Sequence, residues 1–160
     1  MSDAGRSPDP PQLILAFDYG TRRIGVASAD TVTRTARALT TLECTQGIPW
    51  PALDKLVAEL QPSTLVVGIP HHTDGTPTAL TETCREFASS LAQRYGRLVA
   101  LVDETLSSRE AAEQIRAARA SGVKRKRATR ADLDMIAARI LLEQWLTDPG
   151  AAETIGRRES

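Results

Sequence analysis

The chain has 160 residues, 41% hydrophobic and 25% charged, with 20 basic and 20 acidic side chains that cancel to a formal net charge of zero. That is the length of one ordinary domain able to bury a core, the composition is globular rather than disordered, and the charge balance argues against a non-specific coat for nucleic acid. No apolar run approaches the length that spans a bilayer, and Cys44 and Cys84 stand in unrelated contexts, so membrane spans, disulfide frameworks and cysteine metal knuckles are excluded and a cytoplasmic protein is expected.

Residues 1–11, rich in Pro and Ser with neither signal-peptide nor transit-peptide character, are expected to be a disordered arm. Residues 12–18 read as a strand, and 22–29 as the second arm of a hairpin after a short Gly-Thr turn, with a weaker strand around 35–42. Pro49-Trp50-Pro51 opens a helix with Leu53, Leu56, Val57 and Leu60 at helical spacing, and Gln61-Pro62 stops it. Thr64 to Gly68 is a short apolar strand. Thr76-Pro77 then resembles an N-cap with proline at the first helical position, predicting a helix to about Tyr95.

Leu98 to Val102 is another buried strand, Ser107 or Ser108 caps an Ala- and Glu-rich helix to about Ala120, and Asp132 to Leu146 is a last amphipathic helix. The domain is thus expected over residues 12–147, with a flexible tail over 148–160. A hairpin first and alternating strands and helices afterwards imply a mixed α/β sheet whose later strands are parallel.

Asp18 closes the apolar run Leu13-Ile14-Leu15-Ala16-Phe17, where a lone carboxylate is costly unless compensated. A turn-closing Asp before Gly accounts for it equally well in isolation. Asp103-Glu104 directly follow a strand at the edge where α/β sheets build their sites, although solvated loop acids are the commoner meaning of such a pair. On the last helix, the wheel groups Leu133, Ile136, Ala137, Ile140, Leu141 and Trp145 in one stripe and puts Asp134 at its edge. Asp134 also suits the helix dipole as a first-turn acid.

Together, Asp18, Glu104 and Asp134 are a set of hard oxygen donors suited to Mg²⁺ or Mn²⁺ rather than zinc. Three clustered carboxylates can bridge two such ions for phosphodiester cleavage.

At these residues the sequence resembles the YqgF/RuvX family, the Holliday-junction-resolvase-like or pre-16S rRNA nucleases of the ribonuclease H-like superfamily. The likeness spans about residues 13–146. It rests on four ordered segments: Phe17 to Ala27; Val67-Gly68-Ile69-Pro70 with Asp74-Gly75-Thr76; Asp103-Glu104 with Leu106-Ser107-Ser108 and Ala111; and Asp134 with Ala137-Ala138 and Ile140-Leu141. The resemblance implies a five-stranded mixed sheet flanked by helices, with catalytic and metal-binding acids at Asp18, Glu104 and Asp134. Glu104 is favoured over Asp103 as the ligand. Thr105 departs from the family, which usually carries Arg there; Arg109 is the nearest basic residue downstream.

Gly122 to Arg130 carries five basic residues and no acid, and Lys124, Arg125, Lys126, Arg127 and Arg130 are candidate phosphate contacts, against the commoner reading of a solvated loop. Arg22 and Arg23 in the first hairpin are further candidates, or serve only to solubilise the edge. The Asp74-Gly75-Thr76-Pro77 segment offers an anion site if it leads into a helix N-terminus, although turn and cap duties also explain it. His71 and His72 are not assigned catalysis.

Three functions are therefore expected in descending order. The first is a nuclease acting on structured RNA, such as a ribosomal RNA precursor, or on branched DNA. The second is an accessory factor that grips nucleic acid without cutting it. The third is a phosphotransferase of the sugar-kinase type, disfavoured because one domain cannot close over a nucleotide. A homodimer suits a two-fold branched substrate, with no interface legible in the sequence.

Overall fold

The computed structural model describes residues 12–72, 74–103 and 130–156. Strands β1 (Leu13–Tyr19), β2 (Arg23–Asp30) and β3 (Arg37–Glu43) form an antiparallel meander. Helix α1 (Trp50–Leu60) then carries the chain across to β4 (Thr64–Ile69), which pairs parallel to β1. Helix α2 (Thr81–Tyr95) likewise leads to β5 (Leu98–Asp103), parallel to β4. Helix α3 (Arg130–Thr147), a 3₁₀ turn at Pro149–Ala151 and the short strand β6 (Glu153–Ile155) complete the described fold. The sheet order is β3-β2-β1-β4-β5-β6.

The alternation of side chains sorts the core into two layers. Leu15 and Phe17 of β1, Ile24 and Val26 of β2, Leu65 and Val67 of β4, and Val99 and Leu101 of β5 pack with Leu53 of α1 and Phe87, Ala88 and Leu91 of α2. Ile14, Ala16, Ala27, Ala29, Val66 and Ala100 point the other way, onto Ala138, Leu142 and Leu146 of α3. Small residues fill much of this second layer, which lets α3 lie close across β2, β1 and β3.

Most of the predicted elements stand where the sequence put them, with ends moved by a residue or two. Helix α1 ends as expected, with Gln61 at a left-handed φ of 50° donating its N–H to Val57 O, ahead of Pro62. Three differences matter.

The sheet has six strands rather than five, because Glu153–Ile155 pair antiparallel with β5 in the segment expected to be a flexible tail. Three residues of modest hydrophobicity carry too little pattern to be read as a strand.

Helix α2 starts at Thr81, not at Pro77. Pro77 instead bridges to His71, and Asp74 Oδ1 accepts from both the backbone N–H (2.9 Å) and the hydroxyl (2.7 Å) of Thr76. The Thr78 hydroxyl accepts from Leu80 N–H, and the Thr81 hydroxyl donates to Pro70 O. Local side-chain bonds thus hold residues 74–78 in turns that compete with a helical start.

The third difference is the face that α3 presents. The row packed on the sheet is Ala138, Leu142 and Leu146, while Ala137 and Ile140 form a separate buried cluster. Leu133, Ile136 and Trp145 are half-buried. Apolar side chains surround most of this helix, so periodicity alone could not choose the sheet-facing row.

The predicted helix over about 108–120 and the arm over 1–11 lie outside the described residues. Among the described residues, no helix is long and apolar enough to cross a membrane.

Candidate active site

β1, β4 and β5 run parallel, so their carboxyl ends share one edge of the sheet. Asp18 stands at that edge of β1, on the same face as Ile14 and Ala16 and therefore toward α3. Its register partner across the hairpin is Gly25 of β2. A Cβ built on Gly25 would lie 2.0 Å from the backbone oxygen of Asp134 and 2.4 Å from its carbonyl carbon. Glycine at this position is thus what allows α3 to seat its N-terminal turns directly on the hairpin beside Asp18.

Two polar contacts fix the same end of the helix. The Thr41 hydroxyl of β3 donates to Ala131 O at 2.9 Å, and Arg23 Nε donates to Asp134 Oδ2 at 2.9 Å. Asp134 continues, one turn earlier, the row Ala138, Leu142 and Leu146 that packs on the sheet. It is therefore more inward than the wheel indicated. The structure brings Asp18 and Asp134 to one face, on either side of Gly25.

Asp103, the last residue of β5, is in register with Ile69, on the α1/α2 face and not on the face of Asp18. Its Oδ1 is 3.5 Å from Nδ1 of His71, just past the end of β4. Glu104, Thr105 and Arg109 lie outside the described residues, as do Lys124, Arg125, Lys126 and Arg127. Arg130 is the first residue of α3. Arg22 is exposed in the β1–β2 turn, where its carbonyl accepts from Cys44 N–H.

The proposed anion site at Asp74–Pro77 is not built as a helix N-terminus, since α2 begins at Thr81. The Thr76 hydroxyl and N–H instead hold the Asp74 carboxyl below its ordinary range.

The donor chemistry here is that of a hard cation. Among the described residues, no group of three His, Cys, Asp or Glu side chains is placed to hold a metal ion. Asp18 and Asp134 supply two carboxylates on one face, a donor type that suits such a cation. Sequence reasoning missed the Arg23–Asp134 pair, because nothing local links residues 111 positions apart.

A family model described as RuvX, Holliday junction resolvase, matches residues 12–148. The chain belongs to the RuvX family. A Xylella fastidiosa relative named "Putative pre-16S rRNA nuclease" is 41% identical over 150 residues, covering 93% of this chain and 96% of its own. A Francisella tularensis relative of the same name is 36% identical over 138 residues, covering 86% and 98%.

Among solved structures, Thermus thermophilus RuvC in complex with a Holliday junction substrate superposes with a TM-score of 0.55 at 12% identity, covering 90% of this chain and 99% of that one. The yeast mitochondrial Holliday junction resolvase gives 0.55 at 9% identity, covering 89% and 80%. At such identities the likeness is one of fold, and it places this RuvX-family chain among the RuvC-like ribonuclease H folds.

Proposed function

We propose that this chain is a divalent-metal-dependent nuclease that hydrolyses phosphodiester bonds of structured nucleic acid, with 5′-end maturation of pre-16S rRNA as its first task and branched DNA as the second. The observation that carries the reading is the convergence of Asp18 and Asp134 at Gly25, on the carboxyl edge of the parallel strands. The names of the relatives and the resolvase description of the family point to the same chemistry.

Asp18, Asp134 and Glu104 are the proposed catalytic and metal-binding residues, with the catalytic domain expected from residue 12 to 147. Asp103 is engaged on the opposite face of β5 by His71, which favours Glu104 as the third ligand. Bound by these acids, Mg²⁺ or Mn²⁺, as one ion or a pair, would lower the pKa of a coordinated water and offset charge on the phosphate. The chain's own part is to present Asp18 and Asp134 together at the sheet–helix junction and to grip phosphates with Arg22, Arg23, Arg130 and the run Lys124 to Arg127. Phosphate contacts of this kind position the polymer and carry little sequence information. A homodimer would present two such sites to a two-fold junction.

The deciding experiment compares a pre-16S rRNA fragment, single-stranded RNA and a four-way DNA junction, each end-labelled, under Mg²⁺ and Mn²⁺. Preferred cutting of the rRNA precursor supports the first task, and preferred cutting of the junction transfers the assignment to branched DNA. Binding without cleavage of any substrate under either metal would replace the nuclease with an accessory factor that only grips nucleic acid.

A further inference from the structure

Arg23 opens β2 on the face that meets α3, and its contact with Asp134 has an unusual form for an ion pair. Nε alone donates, to Oδ2, at 2.9 Å. Among the described residues, neither Oδ1 of Asp134 nor the two Nη atoms of Arg23 takes part in a further hydrogen bond or ion pair. The Arg94–Asp54 pair elsewhere on the molecule is different, since Nε and Nη2 both engage the carboxylate and the Tyr95 hydroxyl joins them.

The contact is not the sole anchor of the helix. Gly25 already receives the Asp134 backbone, and Thr41 already bonds Ala131. The pair is part-buried, with side chains 21% and 29% exposed. What the contact does determine is the rotation of the Asp134 carboxylate.

We propose that Arg23 is a positioning residue that couples the metal to the substrate. Nε fixes Asp134 so that Oδ1 is held out for a divalent cation, and the Nη edge of the same guanidinium takes a phosphate of the bound nucleic acid. The inference rests on the metal-site reading of Asp18 and Asp134. Arginine suits the double task because its planar fork carries donors on two edges, whereas lysine ends in a single flexible ammonium. Hydrogen-bonding partners that orient metal ligands commonly govern affinity as strongly as this account requires.

The test titrates Mn²⁺ into the full chain by calorimetry for wild type, Asp18→Asn, Arg23→Ala and Arg23→Lys. It also measures binding of a four-way DNA junction without metal as salt is varied. Arg23→Ala is expected to keep a cooperative melting transition, to bind Mn²⁺ about ten- to a hundredfold more weakly, and to lower the salt slope by about one unit. Arg23→Lys is expected to leave Mn²⁺ affinity unrestored. If Arg23→Ala lacked a cooperative melting transition, Arg23→Met, which keeps the apolar stem and removes every N–H donor, would carry the same titration.

Unchanged or tighter Mn²⁺ binding in Arg23→Ala, beside weakened binding in Asp18→Asn, would overturn the coupling while leaving the metal site intact. Full rescue by lysine, or an unchanged salt slope, would also overturn it. Wild type that binds no Mn²⁺, or binds it equally well as Asp18→Asn, would remove the metal-site reading and this inference with it.

Discussion

The backbone carbonyl of Asp134 rests against Cα of Gly25, in the space where any other residue would place its Cβ, 2.0 Å from that oxygen. Because the obstruction is backbone, a side-chain rotation cannot relieve it. Gly25→Ala is therefore expected to push the start of α3 off the hairpin, at about 1–3 kcal/mol by the usual cost of overpacking. Denaturant unfolding checks the stability. Activity should fall further than stability, because Asp134 moves relative to Asp18. A variant with wild-type unfolding and wild-type cleavage would show that the helix seats elsewhere.

The sheet-facing row of α3 makes a second prediction. Leu142 is fully buried against the sheet, whereas Leu133 is half-buried. Leu142→Ala is expected to cost about 2–5 kcal/mol, and Leu133→Ala clearly less, in paired urea titrations. Equal costs would favour the stripe read from the wheel over the row seen in the structure.

That contrast marks how far the sequence could be read. Strands β1, β2, β4 and β5 were legible because their apolar runs are short, dense and bounded by turn residues. Helix α1 was legible from Pro51 at its start, helical spacing within and Pro62 after it. Asp18 is legible because a charge among apolar neighbours is costly, and that signal is local.

The rest depends on partners far along the chain. Nothing near Gly25 indicates that a helix more than 100 residues later will sit on it, and the pairing of Arg23 with Asp134 is equally nonlocal. The start of α2 is not legible locally because Asp74 and Thr78 engage their side chains in turns, which a Thr-Pro cap motif does not reveal. Strand β6 forms because β5 offers an edge, not because Glu153-Thr154-Ile155 is a strong strand former.

Acid sensitivity offers a third prediction, away from the site. Asp54 of α1 accepts from Arg94 at 2.8 and 2.7 Å and from the Tyr95 hydroxyl at 2.7 Å. Arg94 first, and Tyr95 with it, hold the Asp54 carboxyl at about 2, against an ordinary 3.8. A depressed folded pKa means that the contribution is complete above the unfolded value and is lost as pH falls from about 4 through about 2. Urea midpoints for wild type and Asp54→Asn should therefore differ at pH 5 and converge toward pH 2. The exposure of this pair keeps the gap small. A gap that persists unchanged at pH 2 would contradict the assignment.

Salt supplies a fourth. If Lys124, Arg125, Lys126 and Arg127 hold phosphates, replacing all four with Gln should weaken junction binding and lower the slope of log affinity against log salt by about 0.9 for each phosphate no longer neutralised. Fluorescence anisotropy over a salt series reads both. An unchanged slope would mean that this run is a solvated loop.

The most direct test of the central claim is cleavage of pre-16S rRNA and four-way junction substrates by wild type and Asp18→Asn, with Mg²⁺ or Mn²⁺ and again after chelation, alongside a binding assay. The account predicts cutting that needs metal, falls by about a hundredfold or more in Asp18→Asn as expected for removal of a metal ligand, and leaves substrate binding in place. Cleavage that survives Asp18→Asn, or survives removal of metal, would contradict it.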